Sequence, residues 1–180
     1  MSNRTGITAA LVVIMLSASA TARAQAIEAG KNEVETDFSL TSSKWSGIDS
    51  NRTTEFNWRI TYGRFVSDRI AIGPVFGIRN DVNTGSKPFN AGGLVRFYFG
   101  DGRGAAIPFV EATSTRAFNQ AFEMDYTDLQ ISGGLVFPMG ESGGRFRVAP
   151  YYYRAFFDPD LHGFSHFHSF GVSWSVGLLF

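Results

Sequence analysis

The chain contains no cysteine, which excludes disulfides, thiolate nucleophiles and Cys-based metal centres. Beyond the first 26 residues it has no apolar run of 18 residues, so no helix is long and greasy enough to span a membrane. Neither sign of charge is in excess, with 16 basic and 16 acidic residues, and nucleic-acid binding, which needs a basic footprint, is not indicated. Helical periodicity is nearly absent after residue 30. What the chain does have is bulk and its opposite, 18 Phe, 6 Tyr and 3 Trp beside 20 Gly, in a length of 180 residues that suits one domain.

Residues 1–26 are expected to be a secretory signal peptide. Arg4 supplies a positive start, residues 7–20 form a short apolar run, and two small-x-small sites would allow cleavage after Ala24 or after Ala26. Removing Arg4 and Arg23 leaves 14 basic against 16 acidic residues, a mature charge of −2. The remaining 27–180 are expected to form a single exported domain.

Within that domain, period-two alternation recurs eight times, and period two is the signature of a strand with two different faces. Residues 33–41 set Val34, Thr36, Phe38 and Leu40 against Glu33, Glu35 and Asp37. Residues 54–63 set Phe56, Trp58, Ile60 and Tyr62 against Asn57, Arg59 and Thr61. Residues 69–79 oppose Ile70, Ile72, Phe76 and Ile78 to Ala71, Gly73, Gly77 and Arg79, and 89–99 oppose Val95, Phe97 and Phe99 to Gly92, Arg96 and Tyr98. The run 105–116 is oriented by Glu111, with Val110 and Ala112 on the apolar side. In 128–137 Leu129, Ile131, Leu135 and Phe137 oppose Asp128, Gln130 and Ser132. In 145–157 Phe146, Val148 and Tyr152 oppose Arg145, Arg147, Tyr151 and Tyr153. The last run sets Phe170, Val172, Trp174, Val176, Leu178 and Phe180 against Gly171, Ser173, Ser175 and Gly177.

Connections between these runs alternate in length. Short ones fall at 65–68, 100–104 and 139–144, and longer polar ones at 42–53, 80–88, 117–127 and 158–167. Trp58, Phe97, Leu135 and Trp174 recur at intervals of 39, 38 and 39 residues, one hairpin each. Eight strands of about ten residues, with short turns at one end and long loops at the other, predict an all-β fold: an eight-stranded antiparallel up-and-down transmembrane β-barrel. A soluble cup with an apolar interior has the same strand count. Rows of Phe, Trp, Ile and Leu from eight strands would overfill so narrow an interior. With the bulky face toward lipid, small and polar residues fit inside, and closure leaves no unpaired edge.

The passage "GGLVRFYFGDGRGAAIPFVEA" and the ending "VSWSVGLLF" resemble small bacterial outer-membrane β-barrels of the OmpX and OmpA-membrane-domain type, over residues 31–180. The resemblance implies a bacterial outer-membrane location and a monomer embedded in outer-membrane lipid, with an extracellular loop partner left undefined. It also implies periplasmic chaperones and the barrel-assembly machinery as partners during biogenesis. Val172, Trp174, Val176, Leu178 and Phe180 would carry the C-terminal assembly signal, with Phe180 facing lipid at the periplasmic rim.

Interior positions carry charges of both signs, Glu35, Asp37, Glu111 and Asp128 against Arg59, Arg96, Arg145 and Arg147. Buried charges need partners, so a salt-bridged plug is expected, with Asp37 and Arg59 as the clearest single pair; a selectivity constriction in a pore is the alternative. The spacing of His162, His166 and His168 could suit an imidazole metal site on a hairpin, or a general base near Ser165 or Ser169, but Asp158 and Asp160 lie in the same loop without a telling spacing, and loop histidines at the rim are the preferred account. Gly102, Gly104, Gly143 and Gly144 are turn residues, since neither a helix nor Lys-Ser/Thr follows them. Asn51-Arg52-Thr53 matches a glycosylation sequon by chance. Trp45, Phe118, Phe122 and Phe164 in the long connections are partner anchors or part of an interfacial aromatic girdle. The expectation is thus a non-enzymatic scaffold without cofactor, catalytic or metal site. A narrow transport barrel is the alternative, and a lipid-modifying enzyme is the weaker third reading.

Overall fold

The computed structural model describes residues 26–44, 52–81, 87–100, 104–118, 126–140, 142–156 and 166–180. They form eight strands: β1 (Asn32–Lys44), β2 (Arg52–Phe65), β3 (Ile70–Asp81), β4 (Phe89–Tyr98), β5 (Ile107–Phe118), β6 (Tyr126–Met139), β7 (Gly144–Phe156) and β8 (His166–Leu179). Each pairs antiparallel with its neighbours in sequence, and β8 pairs with β1 to close the barrel. The first and last strands meet at the turn end, where Asn32 N–H donates to Phe180 O at 2.8 Å.

Strand stagger follows from the register. From Asn32 the pairs run Arg64, Ile72, Val95, Ala112, Ile131, Tyr152 and Phe170, returning to β1 at Ser42. Each step to a paired neighbour therefore climbs toward the loop end, and the strands tilt by about 40°. β4 has the expected ten residues, and the other seven strands, at 12 to 14, exceed that length. At about 3.3 Å per residue and this tilt the longest extend about 35 Å, past an apolar band of about 25 Å. The extra residues, such as Ser42 to Lys44 paired with Thr54 to Arg52, are polar in sequence. Pairing continues there without alternation, so the sequence pattern stops before the ladder does.

The two faces are inverted relative to a soluble protein. Leu40, Val95, Ile131, Phe170 and Leu178 are each more than half exposed, while Glu33, Glu35, Arg96 and Arg147 are at most 1% exposed. In water this would waste the apolar surface and desolvate the charges. In lipid both placements are favourable, so the wall faces a bilayer. Outward aromatics recur along the wall. Phe97 packs on Phe99 and Phe137 on Phe146 near the turns, Phe38 is paired at mid-strand with Trp58 and Trp174, and the contacts Phe38–Phe56 and Phe76–Phe89 run from mid-strand toward the loops. Phe118 belongs to this set, on β5 rather than in a loop.

Two prolines interrupt the ladder. Pairing lapses between Thr61–Val75 and Arg64–Ile72, and again between Ser132–Tyr151 and Leu135–Val148. Pro74 and Pro150 sit in these gaps and have no N–H to donate. Closure of the barrel should nevertheless keep it folded in cold detergent, so unheated protein is expected to migrate differently from boiled protein on a denaturing gel. Identical mobility before and after boiling would count against the closed barrel.

Candidate functional site

The interior is layered along the axis. At the turn end Phe65, Tyr98, Ile107, Phe109, Val136 and Leu179 form an apolar floor. The segment before β1 completes it. Gly30, at a φ of 88° that a side chain would disfavour, donates its N–H to Phe65 O at 2.8 Å, and Ala29 N–H reaches Asp68 Oδ1 at 3.0 Å. This turn delivers Ile27 into the floor, 4% exposed.

Above the floor lies the charge network. Arg96 on β4 donates from Nη1 to Glu33 Oε1 at 2.6 Å and from Nη2 to Glu35 Oε2 at 2.7 Å. Its Nε and Nη2 both reach Glu111 Oε2, at 2.8 and 2.5 Å. Tyr98 links two members, accepting from Arg96 Nη1 at 3.1 Å and donating to Glu33 Oε2 at 2.7 Å. Arg147 on β7 donates from Nη2 to Asp37 Oδ2 at 2.5 Å, from Nη1 to Glu111 Oε2 at 2.8 Å and from Nε to Ser175 Oγ at 3.0 Å. Arg59 adds Asp37 Oδ2 and Gln130 Oε1, both at 3.1 Å, and Arg145 lies 3.8 Å from Glu33. Four guanidinium groups thus balance four carboxylates. Arg96–Glu111, Arg147–Ser175 and Arg59–Asp37 join directly paired residues along the wall, whereas Arg96 to Glu33 and Glu35, and Arg147 to Asp37 and Glu111, link strands that are not neighbours and so cross the lumen.

Glycine makes the room. A Cβ on Gly63 would stand 2.7 Å from Glu33 Oε1, and one on Gly177 would stand 2.5 Å from both Glu35 Cγ and Val34 O. Glu33 and Glu35 therefore lie flat over glycines of the adjacent strands, leaving their carboxylates at the height of Arg96.

Toward the loop end the interior changes from ion pairs to a mixed polar cluster around Arg79. Its Nε donates to Asn57 Oδ1 at 3.1 Å and lies 3.3 Å from Glu55 Oε2. Nη1 donates to the hydroxyls of Tyr126 and Tyr153, at 3.2 and 2.6 Å, and the guanidinium covers the Tyr153 ring at 4.1 Å. Asp128 accepts from Thr115 Oγ1 at 2.7 Å. Thr41 and Tyr151 share a hydrogen bond nearby. A small polar cavity lies between the two levels, lined by Ser39, Asn57, Arg59, Asn90 and Gln130 among others.

Glu35, Asp37, Arg59, Arg96, Glu111 and Arg147 thus come together as one unit. Arg145 sits at its lower edge, and Asp128 belongs to the separate upper cluster. The anticipated Asp37–Arg59 pair is present, but Arg147 also holds Asp37 and at shorter range. Glu33, Tyr98 and Arg79 are legible in the sequence as polar-face residues but not as members of the charge network, and Glu55 is not singled out at all. All four share the inward parity of their neighbours, and that was the available signal. Of the histidine set only His168 and Ser169 have described side chains, and they lie on opposite faces of β8, His168 outward and Ser169 inward. His162, Ser165, Asp158, Asp160, Trp45, Phe122, Phe164, Asn51, Gly102 and residues 1–25 lie outside the described residues.

A closed, tilted eight-stranded barrel with lipid-facing aromatics and an ion-paired interior is a known architecture. The structure of Neisserial surface protein A is similar at a TM-score of 0.62 and 14% identity, covering 83% of this chain and 98% of that one. The N-terminal β-barrel domain of Pseudomonas aeruginosa OprF follows at 0.56 and 15%, covering 87% and 100%. The outer membrane protein OprG from Pseudomonas aeruginosa matches at 0.50 and 16%, covering 89% and 99%. The fold is that of small outer-membrane barrels. At these identities the likeness is one of architecture, shared over nearly the whole of each barrel. No protein-family model matches the chain, and no curated protein matches it by sequence.

Proposed function

We propose that this protein is an integral outer-membrane barrel of structural and interaction type, with its lumen sealed by charge and its four longer connections presented outside the cell. It acts as a monomer and without catalysis of its own. The observation that supports this reading is the pair of guanidinium groups, Arg96 and Arg147, bonded across the lumen to carboxylates of β1 and β5. Both arginines are at most 1% exposed, so the network leaves neither of them open to a water column. During biogenesis the chain would be handed by periplasmic chaperones to the barrel-assembly machinery. The outward row Val172, Trp174, Val176, Leu178 and Phe180 is available for that recognition, since every member is at least 36% exposed.

Purified, refolded protein inserted in a planar bilayer is expected to give no steady conductance steps. Reproducible open-channel steps would instead favour the transport reading, in which the polar cavity above Arg59 leads into a network that opens. Either outcome leaves the barrel itself intact and decides only what its interior does.

A further inference from the structure

Two side-chain atoms of the interior lack a partner in the protein, and both face one cavity. Asn90 on β4 and Gln130 on β6 are more than nine-tenths buried. Neither Asn90 Oδ1 nor Gln130 Nε2 meets a hydrogen-bond partner among the described residues. Both residues line the polar cavity between the two charged levels. Leaving a buried amide group unpaired costs the full penalty of removing it from water, so a native interior supplies a partner.

The Gln130 amide is fixed in orientation. Its Oε1 accepts from Arg59 Nη1 at 3.1 Å, so the other branch is the donor. Gln130 therefore presents a donor to the cavity, and Asn90 presents an acceptor.

Glycine keeps the space open. Gly77 of β3 pairs with Arg59 on one side and with Asn90 on the other. A Cβ there would stand 2.8 Å from Arg59 Cγ, so a side chain at this position would push Arg59 toward the cavity. Across the neighbouring strands Gly92 pairs with Thr115, and Thr115 with Asp128. Asn90 lies two residues nearer the loops than Gly92, and Gln130 two residues nearer the turns than Asp128. The two amides thus stand diagonally on either side of Thr115.

Size and charge select the occupant. The cavity has about 20 Å³ of free volume, room for one water molecule and for no larger solute. An anion would meet the Asp128 carboxylate, and a cation would meet the Arg59 and Arg79 guanidinium groups and the Gln130 donor. Water is neutral, both donates and accepts, and satisfies the two amides at once.

We infer that one long-lived water molecule occupies this cavity, accepting from Gln130 Nε2 and donating to Asn90 Oδ1. Gln130 bonds Arg59, Arg59 bonds Asp37, and Asp37 bonds Arg147. The water thereby ties β4 at the upper level to the charge network below. This site deepens the sealed-lumen reading and rests on it, because a water held for long is not part of a flowing column.

The test counts waters by oxygen-17 magnetic relaxation dispersion on the whole barrel refolded in detergent micelles. This nucleus reports intact water molecules, so exchanging amide and hydroxyl protons do not contribute. The wild type is expected to hold one more long-lived water than Asn90→Leu, whose apolar branch fills the space and offers no acceptor. Gln130→Glu should keep the wild-type count, because water can donate to one carboxylate oxygen while the other still accepts from Arg59. Equal counts in wild type and Asn90→Leu would overturn the inference, as would loss of the water in Gln130→Glu. A wild-type count that drops when sodium or potassium chloride replaces choline chloride would also overturn it and assign the cavity to a cation. Heat-dependent gel mobility verifies that each variant is folded, and Asn90→Met serves if Asn90→Leu does not refold. Conductance is read separately. A barrel with neither conductance nor the extra water loses this site alone, whereas channel steps overturn the sealed reading from which the site follows.

Discussion

Arg96→Leu is expected to destabilise the folded barrel by at least about 3–5 kcal/mol, the range for removing one member of a buried ion pair. Leucine leaves Glu33, Glu35 and Glu111 facing one another with the guanidinium gone, and Arg147 alone cannot satisfy all three. It already pairs with Asp37, Glu111 and, at 3.3 Å, Glu35, and it has no contact with Glu33. The measurement is the urea midpoint for unfolding from lipid vesicles, compared with wild type. Adding Glu111→Gln to Arg96→Leu should recover part of the loss, because one stranded charge is removed with the cation. Arg96→Lys should recover little, since an ammonium group cannot reproduce the fork that reaches three carboxylates at once. A midpoint for Arg96→Leu equal to wild type would mean that the network does not hold the barrel together.

The second large effect belongs to the opposite face. Val95 neighbours Arg96 in sequence but is 53% exposed on the outer wall, paired to Ile72 and Ala112 near the middle of the band. Val95→Arg should cost about 2–4 kcal/mol, the penalty measured for an arginine at the midplane of such barrels. Val95→Leu should be nearly neutral, because lipid accommodates an extra methylene where a packed core would not. The same urea titration in vesicles tests this. If Val95→Arg folds as well as wild type while Val95→Leu does not, the inside and outside of β4 are reversed.

Taken together, these two adjacent positions separate two kinds of stabilisation in one strand. Val95 responds to the solvent outside and can be exchanged for any apolar side chain. Arg96 responds to specific partners drawn from three strands. Such a design is strongest where both faces of a strand are committed at once, as in the middle of β1, where Glu35 and Asp37 alternate with Thr36 and Phe38.

The histidines and the fifth strand illustrate the limits of pattern. For β5, a single carboxylate, Glu111, was enough to orient the entire strand, and its alternation of buried and exposed residues from Ile107 to Phe118 follows from that choice. The same orientation places Phe109 inside, where it packs 6.3 Å from the ring of Tyr98 and beneath Arg147, a role that an aromatic in a lipid-facing barrel does not advertise. His168 and Ser169, adjacent and chemically suggestive on paper, are parted by the pleat.

What the sequence determined by itself was the strand order, the sidedness of each strand and the inversion of polar and apolar faces. Each of these depends only on residues near one another in the chain, because the pleat turns successive side chains to opposite faces. The tertiary structure alone decided which charges meet. Arg96 reaches Glu33 and Glu35 because the stagger that carries Asn32 round to Ser42 sets the height of every strand against every other. No alternation pattern contains that offset. The same holds for Ile27 and Phe109 in the floor. They are positions in a closed cylinder, and a strand has no height until the cylinder closes.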